Sequence, residues 1–465
     1  MDPTEARPHP AAAPNSHVQS SAPHVIIVGA GPAGSVAAAI LAREGLRVTL
    51  VERERFPRHH VGESLQPATI TLLERHLGLG AAIDAMGFPR KYGAVYVWGE
   101  DRAPWSVLFD GRLEAELAGL DEAGLLGGGY EHAYNVDRLR FDHLLYEAAG
   151  AAGAEHRRAV ALSAQLDGPD GRFTGLRVRD EDDVERVIPG DFLIDASGQA
   201  GLMGRQLQLT QLVSDLQSTA SYAYFDGAGG VSGPLGRHVQ LVVTVEEGWA
   251  WFIPVAPDRT SVGVVTKDRA RMSLERFQAI VERAELPLQG ARVAPGPRGE
   301  TLRFARDWSF VQRQLSGPGW LMAGDAACFV DPILSGGVDF AVRGGCKAAT
   351  LLLRSFGEPG AEEAELRAVY EEELRREYKA YLRLARYWYG NNRSVQGLFW
   401  EAHREIPAGA TATPLRAFVY LTTGRYAAER HLRVFDVWQE QKMFRQLGVD
   451  AAALRRAREA AARGS

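Results

Sequence analysis

Three glycines with the spacing GxGxxG lie near the start of the chain, in the stretch VIIVGAGPAGSVAAAILAREGLRVTLVERE. In such a loop Gly29 permits a tight turn, Gly31 lets the backbone approach a pyrophosphate, and Gly34 lets a helix pack close to a strand. Glu52 ends the second apolar run, near the roughly 20-residue spacing expected for an acid that binds a ribose hydroxyl. The pattern predicts a strand–helix–strand unit that binds a dinucleotide, and it does not distinguish FAD from NAD.

Lys91 directly precedes the apolar segment YGAVYVW, and an amine in such surroundings could act as a nucleophile. A lone lysine is usually a solvated surface charge, but the apolar neighbour makes partial burial plausible. Burial would lower the pKa of the amine and raise the fraction that is uncharged. Both interpretations are open on the residues alone.

A Ser-Gly-Gly stretch, Ser335–Gly337, precedes the apolar, helix-like run Val338–Val342. Backbone N–H groups at the start of a helix bind anions without a charged side chain, and glycines allow an anion to approach closely. A simple turn before a helix would use the same residues.

The segment GWAWFIP, Gly248–Pro254, places two tryptophans two residues apart. In a strand, Trp249 and Trp251 would share one face, and Pro254 would mark the end or edge of the strand. Large aromatic residues are ordinary core residues, so the segment alone favours a core strand.

Three further segments carry a resemblance to a known family. They are FLIDASG over Phe192–Gly198, WLMAGDAA over Trp320–Ala327, and NVDRLRFD over Asn135–Asp142. With GxGxxG they resemble the FAD-dependent oxidoreductases related to the aromatic hydroxylases. The resemblance implies that Asp325 contacts the ribityl or pyrophosphate part of FAD and that Arg138 reaches the cofactor. Without it, Arg138 would be interpreted as an exposed helix arginine.

Four segments together resemble, more narrowly, the flavin-dependent halogenases. They are HVGESLQP over His60–Pro67, FPRKYGAVYVWG over Phe88–Gly99, GWAWFIP, and DPILSGGV over Asp331–Val338. The resemblance covers most of residues 24–345 and is nearest to the branch that acts on phenols, pyrroles and carrier-tethered aromatic groups. It implies chlorination or bromination in secondary metabolism, such as antibiotic biosynthesis. Reduced FAD, O₂ and a halide ion would form hypohalous acid.

The halogenase resemblance implies a role for each candidate residue. Lys91 would take up hypochlorous acid and present electrophilic chlorine to the substrate ring. Trp249 and Trp251 would separate flavin from substrate. The halide would lie at Ser335, Gly336 and Gly337. The cofactor-binding positions would be Gly29, Gly31, Ala33, Gly34, Glu52, Arg53, Ser64, Arg138, Asp325 and Gly337.

One position departs from the tryptophan-halogenating branch. That branch has a glutamate just before the halide turn, where this chain has Leu334. The departure argues against free tryptophan and favours a more activated ring, such as a phenolate or pyrrole. Glu63 and Asp339 are available carboxylates, and the residue that removes the ring proton stays open.

The expected fold is α/β, with a doubly wound FAD-binding domain, an inserted β-sheet substrate layer and a C-terminal helical region. We expect a disordered tail over 1–22, a core over 23–345 and helices over 346–465. The FAD-binding segments would be about 24–80, 130–200 and 318–345, and the β-rich layer about 88–115 and 215–310. The aromatic residues of the helical region could form a cap over the substrate or pack helices together, and the basic helix Asp450–Ala462 could touch an acidic carrier protein or simply be solvated.

The composition of the 465 residues limits the possible functions. A net charge of −5 without a basic stripe argues against nucleic acid as a partner. No apolar run reaches the roughly 20 residues that span a bilayer, so no membrane association is expected. Cys328 and Cys346 are the only cysteines, which indicates a reducing cytoplasm, and without a CxxC no structural zinc is indicated, so no metal site is expected.

Two other functions are compatible with the motifs. An aromatic hydroxylase or related monooxygenase would consume NAD(P)H directly and would not need Lys91 or the Ser-Gly-Gly turn. A non-catalytic flavin-binding protein would bind FAD without halide-dependent turnover. For the halogenase, a single dinucleotide fingerprint implies a separate flavin reductase as partner, and the aromatic substrate is expected to be small or attached to an acyl or peptidyl carrier protein.

Overall fold

The computed structural model describes residues 22–98, 102–109, 129–268, 270–295, 299–306, 308–358, 360–390, 395–406 and 413–446. Residues 1–21 of the expected tail, residues 110–115 of the expected β-rich layer, and the expected helix at 450–462 lie outside the described residues.

Eleven α-helices lie within the described residues. They are α1 Pro32–Arg43, α2 Pro67–Leu77, α3 Gly80–Ala85, α4 Arg138–Ala151, α5 Leu202–Gln206, α6 Leu274–Arg283, α7 Gly337–Gly357, α8 Glu363–Gly390, α9 Val395–Glu405, α10 Pro414–Thr422 and α11 Arg425–Gln446. Short 3₁₀ turns occur at Gly198–Ala200, Ser214–Leu216, Gly324–Ala326 and Pro332–Leu334.

Twenty-one strands lie within the same residues. They are β1 His24–Val28, β2 Arg47–Glu52, β3 Arg90–Lys91, β4 Gly93–Val97, β5 Pro104–Leu108, β6 Ala133–Tyr134, β7 Glu155–Asp167, β8 Arg172–Asp180, β9 Glu185–Pro189, β10 Phe192–Asp195, β11 Thr210–Leu212, β12 Thr219–Asp226, β13 Val239–Val245, β14 Gly248–Pro254, β15 Arg259–Thr266, β16 Arg292–Ala294, β17 Arg303–Arg306, β18 Phe310–Gln312, β19 Ser316–Gly317, β20 Trp320–Met322 and β21 Cys328–Phe329.

The first large sheet has the strand order β19-β20-β10-β1-β2-β7-β8-β9. The pairs from β20 through β10, β1 and β2 to β7 are parallel, which buries both faces of β1 and explains its apolar sequence HVIIV. α1 starts with Pro32 at its first turn, where the missing N–H costs nothing, and its alanines pack closely. The predicted α/β fold with a glycine-turn nucleotide unit is confirmed.

The second large sheet has the order β16-β12-β15-β14-β13-β4-β5, with β17 also paired to β12. Its two faces belong to different apolar cores. On β14, Trp249 and Trp251 face the main core, whereas Ala250 and Phe252 face a smaller core that includes Phe277 of α6. Strand alternation therefore directs the two indoles toward the nucleotide-binding part of the molecule.

Four helices, α8 to α11, follow α7 and complete the main core. α8 contributes Trp388, fully buried, against Tyr96 and Trp98 of the second sheet and against Phe418 of α10. The C-terminal helical region predicted from the sequence is therefore present. Within the described residues, no helix has both the length and the apolarity that a membrane crossing requires.

Candidate active site

The turn between β1 and α1 accepts only glycine at two positions. Gly29 has φ +95°, and a Cβ there would lie 2.3 Å from the carbonyl oxygen of Ala196. A Cβ on Gly34 would lie 1.9 Å from the carbonyl oxygen of Gly29. The N–H of Gly29 donates to the carbonyl of Val51 at 2.8 Å, which ties the turn to β2. The backbone of this turn is therefore held close to both neighbouring strands.

Open space lies beside the start of α1. A Cβ on Gly31 would meet only the guanidinium of Arg58, at 3.5 Å, and α1 has no side-chain cap. Arg58 is nearly buried, its Nε has no hydrogen-bond partner among the described residues, and it lies 3.6 Å from Asp142. Free helix N–H groups and a buried guanidinium fit the pyrophosphate of a dinucleotide. No motif identified Arg58 in the sequence.

The acid at the end of β2 points into the same turn. Glu52 accepts hydrogen bonds from the N–H of Ala30 at 2.9 Å and from the N–H of Glu54 at 2.9 Å. The neighbouring Arg53 has a side chain that is 61% exposed and pairs with Glu54 at 3.7 Å. The structure thus places Glu52 at the glycine turn and Arg53 on the surface.

Arg138, at the start of α4, is buried and holds the chain that follows Arg58. Its Nε and one terminal nitrogen donate to the two oxygens of Asp142 at 2.7 and 2.9 Å. The other donates to the carbonyls of Val61 and Gly62 at 2.8 and 3.1 Å. The interpretation of an exposed arginine is therefore wrong.

The Gly-Asp turn after β20 lies against α1. A Cβ on Gly324 would lie 3.1 Å from the Cβ of Ala33, and a Cβ on Gly345 of α7 would lie 2.3 Å from the carbonyl oxygen of Ala33. Burial raises the pKa of Asp325 to about 6, and the charge of Arg138 opposes the rise. Ala33 thus packs where α1, α7 and the Gly-Asp turn meet. The charges of Asp325 and Arg138 interact beside this turn.

Residues 64–66 make hydrogen bonds to Gln240, to the catalytic candidate Lys91 and to the residue before the halide turn, Leu334. Ser64 Oγ donates to Gln240 Oε1 at 2.5 Å, and the carbonyl of Leu65 accepts from Lys91 Nζ at 3.0 Å. Gln66 Nε2 donates to the carbonyl of Leu334 at 3.0 Å. One extended segment therefore holds the catalytic candidate and the halide-turn candidate.

Lys91 is buried, with 2% exposure, on the short strand β3. Its ammonium lies 5.2 Å from the ring centre of Phe109, and Leu65 supplies its one hydrogen bond within the described residues. The structure gives it no carboxylate partner among those residues. Burial lowers the pKa of Lys91 to about 7, so near neutrality much of it is free amine.

The Ser-Gly-Gly turn has an unusual backbone. Ser335 has φ +54°, and its hydroxyl donates to Gln240 Oε1 at 2.8 Å, the oxygen that also accepts from Ser64. Cβ atoms on Gly336 and Gly337 would lie 2.7 Å from Tyr381 and 2.9 Å from Phe329. A cavity of about 20 Å³ lies at this turn, bounded by both glycines and Asp331, with room for about one water-sized species.

The two tryptophans are buried, and their ring centres are 5.9 Å apart. Trp251 lies over Gly263, where a Cβ would lie 2.2 Å from the indole. Trp249 Nε1 donates to the hydroxyl of Tyr389 at 2.8 Å, and that hydroxyl donates to Asp331 Oδ1 at 2.9 Å. A hydrogen-bonded chain therefore links the tryptophan pair to the Ser-Gly-Gly region, which no sequence motif indicated.

The two carboxylates considered from the sequence have different surroundings. Glu63 is buried and accepts from the hydroxyl of Tyr224 at 2.6 Å, and burial raises its pKa. Asp339 is ion-paired with Arg343 at 2.9 Å. A third carboxylate was missed: Asp331 has one oxygen, Oδ2, buried without a partner among the described residues, and burial raises its pKa to about 6.

A sequence profile described as Tryptophan halogenase matches residues 24–123 and 114–461. The chain belongs to this family. The glycine turn, the buried lysine and the Ser-Gly-Gly turn described above all lie within the matched residues.

Two relatives of this chain are named for different substrates, tryptophan and sulochrin. The tryptophan 2-halogenase of Chondromyces crocatus is 34% identical over 71% of this chain and 60% of its own length. The sulochrin halogenase of Aspergillus terreus is 32% identical over 70% of this chain and 62% of its own length. The chain therefore spans about three fifths of the length of these two relatives.

Solved halogenase structures share the fold. The myxobacterial chondrochloren halogenase, described as a new variant of FAD-dependent halogenases, is 30% identical with a TM-score of 0.71, covering 87% of this chain and 90% of that one. A second flavin-dependent halogenase is 28% identical with a TM-score of 0.70, covering 88% of this chain and 78% of that one.

Proposed function

We propose that the protein is a flavin-dependent halogenase that uses reduced FAD, O₂ and chloride or bromide to halogenate an electron-rich aromatic ring. Family membership supports the flavin and the class of reaction. The observation that carries the proposal is Lys91, a buried amine without a carboxylate partner among the described residues. A structural lysine is normally paired when it is buried, because an unpaired buried charge is costly.

The nucleotide site fits FAD. The glycine turn, the open side of Gly31 and the guanidinium of Arg58, whose Nε makes no hydrogen bond within the described residues, would hold the pyrophosphate. Asp325 and Arg138 lie next to that turn. Bound reduced FAD would supply the two electrons that, with O₂, a proton and chloride, give hypochlorous acid, water and oxidised FAD.

The Ser-Gly-Gly turn would hold the halide. Gly336 and Gly337 line a cavity of about 20 Å³ at the start of α7, whose N–H groups attract an anion. Ser335 is held by Gln240, which leaves the backbone of the turn to face the ion.

Lys91 would then capture the oxidant. The neutral amine either holds hypochlorous acid by a hydrogen bond or exchanges its N–H for N–Cl with release of water. The chlorine passes to the ring, the ring loses a proton, and the amine is restored. A pKa of about 7 makes this nucleophilic form abundant at neutral pH, which an exposed lysine would not achieve.

Trp249 and Trp251 would separate the flavin from the substrate. The pair is buried, apolar and fixed by hydrogen bonds to Tyr389 and Ser261. A rigid apolar wall prevents direct contact of the ring with the flavin and excludes water, which would otherwise dilute the oxidant.

The substrate would be a phenol or pyrrole, free or attached to a carrier protein. Leu334 stands where tryptophan halogenases have a glutamate, so the site offers less help to a weakly activated ring. Relatives named for tryptophan and for sulochrin have 34% and 32% identity, so identity alone does not separate the two substrates. A separate reductase would supply the reduced flavin.

The test is product mass with a panel of phenols and pyrroles, free and carrier-bound, supplied with FAD, a flavin reductase, NADH, O₂ and sodium chloride. Wild type is compared with Lys91→Ala and with Lys379→Ala, an exposed lysine that serves as control. Formation of hypochlorite is measured separately by trapping with an added thiol, which does not depend on the substrate.

A chlorine isotope pattern with wild type and Lys379→Ala, absent with Lys91→Ala, is the expected result. A product 16 mass units heavier that forms without chloride would identify a hydroxylase. Tight FAD binding without hypochlorite would identify a non-catalytic flavin-binding protein.

A further inference from the structure

Two histidines and a cysteine from three helices meet in the interior. His76 lies at the end of α2, Cys346 in the middle of α7, and His431 in α11. The two Nε2 atoms lie 3.0 Å apart, and one ligand atom of each residue lies within 4.8 Å of the other two. In the part of the chain that the structure describes, these three residues are the one such group of metal-binding side chains.

The geometry fits a tetrahedral divalent ion. Zinc bound about 2.0 Å from two imidazole nitrogens and about 2.3 Å from a thiolate sulfur holds the two nitrogens about 3.3 Å apart. The observed nitrogen–nitrogen separation of 3.0 Å therefore needs only a shift of a few tenths of an ångström, and the sulfur of Cys346, in a group whose ligand atoms lie within 4.8 Å of one another, would move toward both rings as the ion binds. Imidazole and thiolate are ligands that favour zinc over magnesium or calcium.

The hydrogen bond between the two imidazole rings does not satisfy every polar atom of the group. It satisfies one nitrogen of His76, whereas Nδ1 is buried without a partner among the described residues. A neutral imidazole nitrogen carries the lone pair that a metal ion binds.

Positive side chains near the group are neutralised by acids. Lys347 pairs with Glu373 and Glu377 at 2.9 and 2.6 Å. Arg75 pairs with Asp436 at 2.6 Å. The local charge therefore does not exclude a cation, and a thiolate at Cys346 would add a negative charge.

We propose that His76, Cys346 and His431 form a binding site for a zinc-class divalent ion, with water in the fourth position. Binding releases the thiol proton of Cys346 to solvent, and the partly exposed edge of His76 provides access. The ion joins α2, which begins directly after residues 64–66, to α7, which begins at the Ser-Gly-Gly turn. It thereby ties the last turn of α2 to the middle of α7, the two helices whose first turns adjoin Lys91 and the halide turn, and it attaches α11 to both.

The experiment uses the full-length, FAD-loaded protein, stripped with a chelator and then titrated with Zn²⁺ and with Co²⁺. Bound metal is measured after dialysis, and the Co²⁺ form is examined for ligand-field bands and a thiolate-to-cobalt charge-transfer band. We expect a single ion per chain, a raised melting temperature with Zn²⁺, and both sets of bands.

Cys346→Ala and His431→Gln should each weaken metal binding by more than about 100-fold, because a ligand is lost. Cys346→Ala should also abolish the charge-transfer band. Cys328→Ala removes the only other cysteine, and His143→Gln removes a half-exposed histidine, so both should behave as wild type. Retained FAD binding shows that each variant is folded.

Three results would overturn the proposal. Wild type would bind neither ion after stripping, the Co²⁺ form would lack the thiolate band, or a folded Cys346→Ala would bind as tightly as wild type. None of these results bears on halogenation, so the metal site and the proposed function fail or stand separately.

Discussion

Two buried lysines of this chain have opposite surroundings. Lys91, 2% exposed, has a carbonyl oxygen and an aromatic ring beside its ammonium and no acid among the described residues. Lys347, 6% exposed, contacts the carboxylates of Glu373 and Glu377. Burial alone therefore does not identify a reactive amine; the absence of a compensating charge does.

The difference separates stability from reactivity. The ion pairs of Lys347 hold α7 against α8, so its contribution is to packing. Burial without a pair destabilises the charged form of Lys91 and lowers its pKa to about 7. Burying the unpaired amine of Lys91 lowers the stability of the folded protein, and groups buried in this way are often catalytic.

The largest expected effect is on catalysis. Lys91→Met should lower halogenation by about 1,000-fold or more, because no other described amine lies at the site, while hypochlorite still forms. Lys347→Met, assayed well below its melting temperature, should retain most of the activity. Equal losses in both variants, measured as initial rates of chlorinated product, would mean that Lys91 has only a structural role.

The pH dependence is the next largest effect. With hypochlorous acid supplied directly, chlorination by the enzyme should fall about tenfold for each pH unit below about 7, since only the free amine reacts. Above that pH the rate, divided by the fraction of the oxidant that is still hypochlorous acid, should level off. If the chlorination rate instead rose near pH 10, the range of an exposed lysine, Lys91 would be hydrated and not buried. Circular dichroism at each pH checks that the protein stays folded.

The Lys347 cluster should dominate the effect on stability. Lys347→Met should lower the free energy of unfolding by about 2–3 kcal/mol, because two acids lose a partner. This loss should be smaller than is usual when one partner of a buried ion pair is removed, because Arg343 still pairs with Glu377 at 3.1 Å. Urea unfolding measures it, with Lys379→Met as an exposed control that should change little.

Lys91→Met should have the opposite effect on stability. At pH 6 the amine is protonated in both the folded and the unfolded chain, so the variant escapes the full cost of burial and should be about 1–3 kcal/mol more stable. Because the folded pKa lies below the unfolded one, that cost falls as pH rises from about 7 toward 10. The advantage measured by urea unfolding should shrink over this range; an advantage independent of pH would contradict the assigned pKa.

The smallest effect concerns Tyr389, a positioning residue. Tyr389→Phe removes the link between Trp249 and Asp331 and should cost about 1 kcal/mol of stability. If the link orients the tryptophan wall, more hypochlorite should escape per product formed, with the rate of FAD reoxidation unchanged. Tyr370, whose buried hydroxyl donates to the carbonyl of Met322 at 2.8 Å, offers Tyr370→Phe as the matched change, which should leave the hypochlorite yield nearly unaltered.

Much of the fold was predictable because it depends on local patterns. GxGxxG with its flanking apolar runs specifies β1, α1 and β2, since only glycine tolerates the backbone and contacts at Gly29 and Gly34. Strand alternation in GWAWFIP correctly placed both indoles on one face. The roles assigned to Lys91, to the tryptophan pair and to the halide turn remain predictions.

Other features follow only from contacts between distant parts of the chain. Three such features are the near-complete burial of Arg138 and Lys91, the position of Arg58 at the glycine turn, and the hydrogen bond from Trp249 to Tyr389. No local pattern encodes which side chain lacks a partner, because desolvation depends on everything packed around it.

The sequence by itself determined the dinucleotide unit, the strand faces and the family to which the chain belongs, because each rests on short, regular spacing. Only the tertiary structure decided which of two lysines is left unpaired and which histidines meet a cysteine. His76, Cys346 and His431 share no motif, and only the packing of three helices brings them within 4.8 Å of one another. Charge compensation and metal-ligand geometry are properties of three-dimensional neighbours, which a linear sequence does not display.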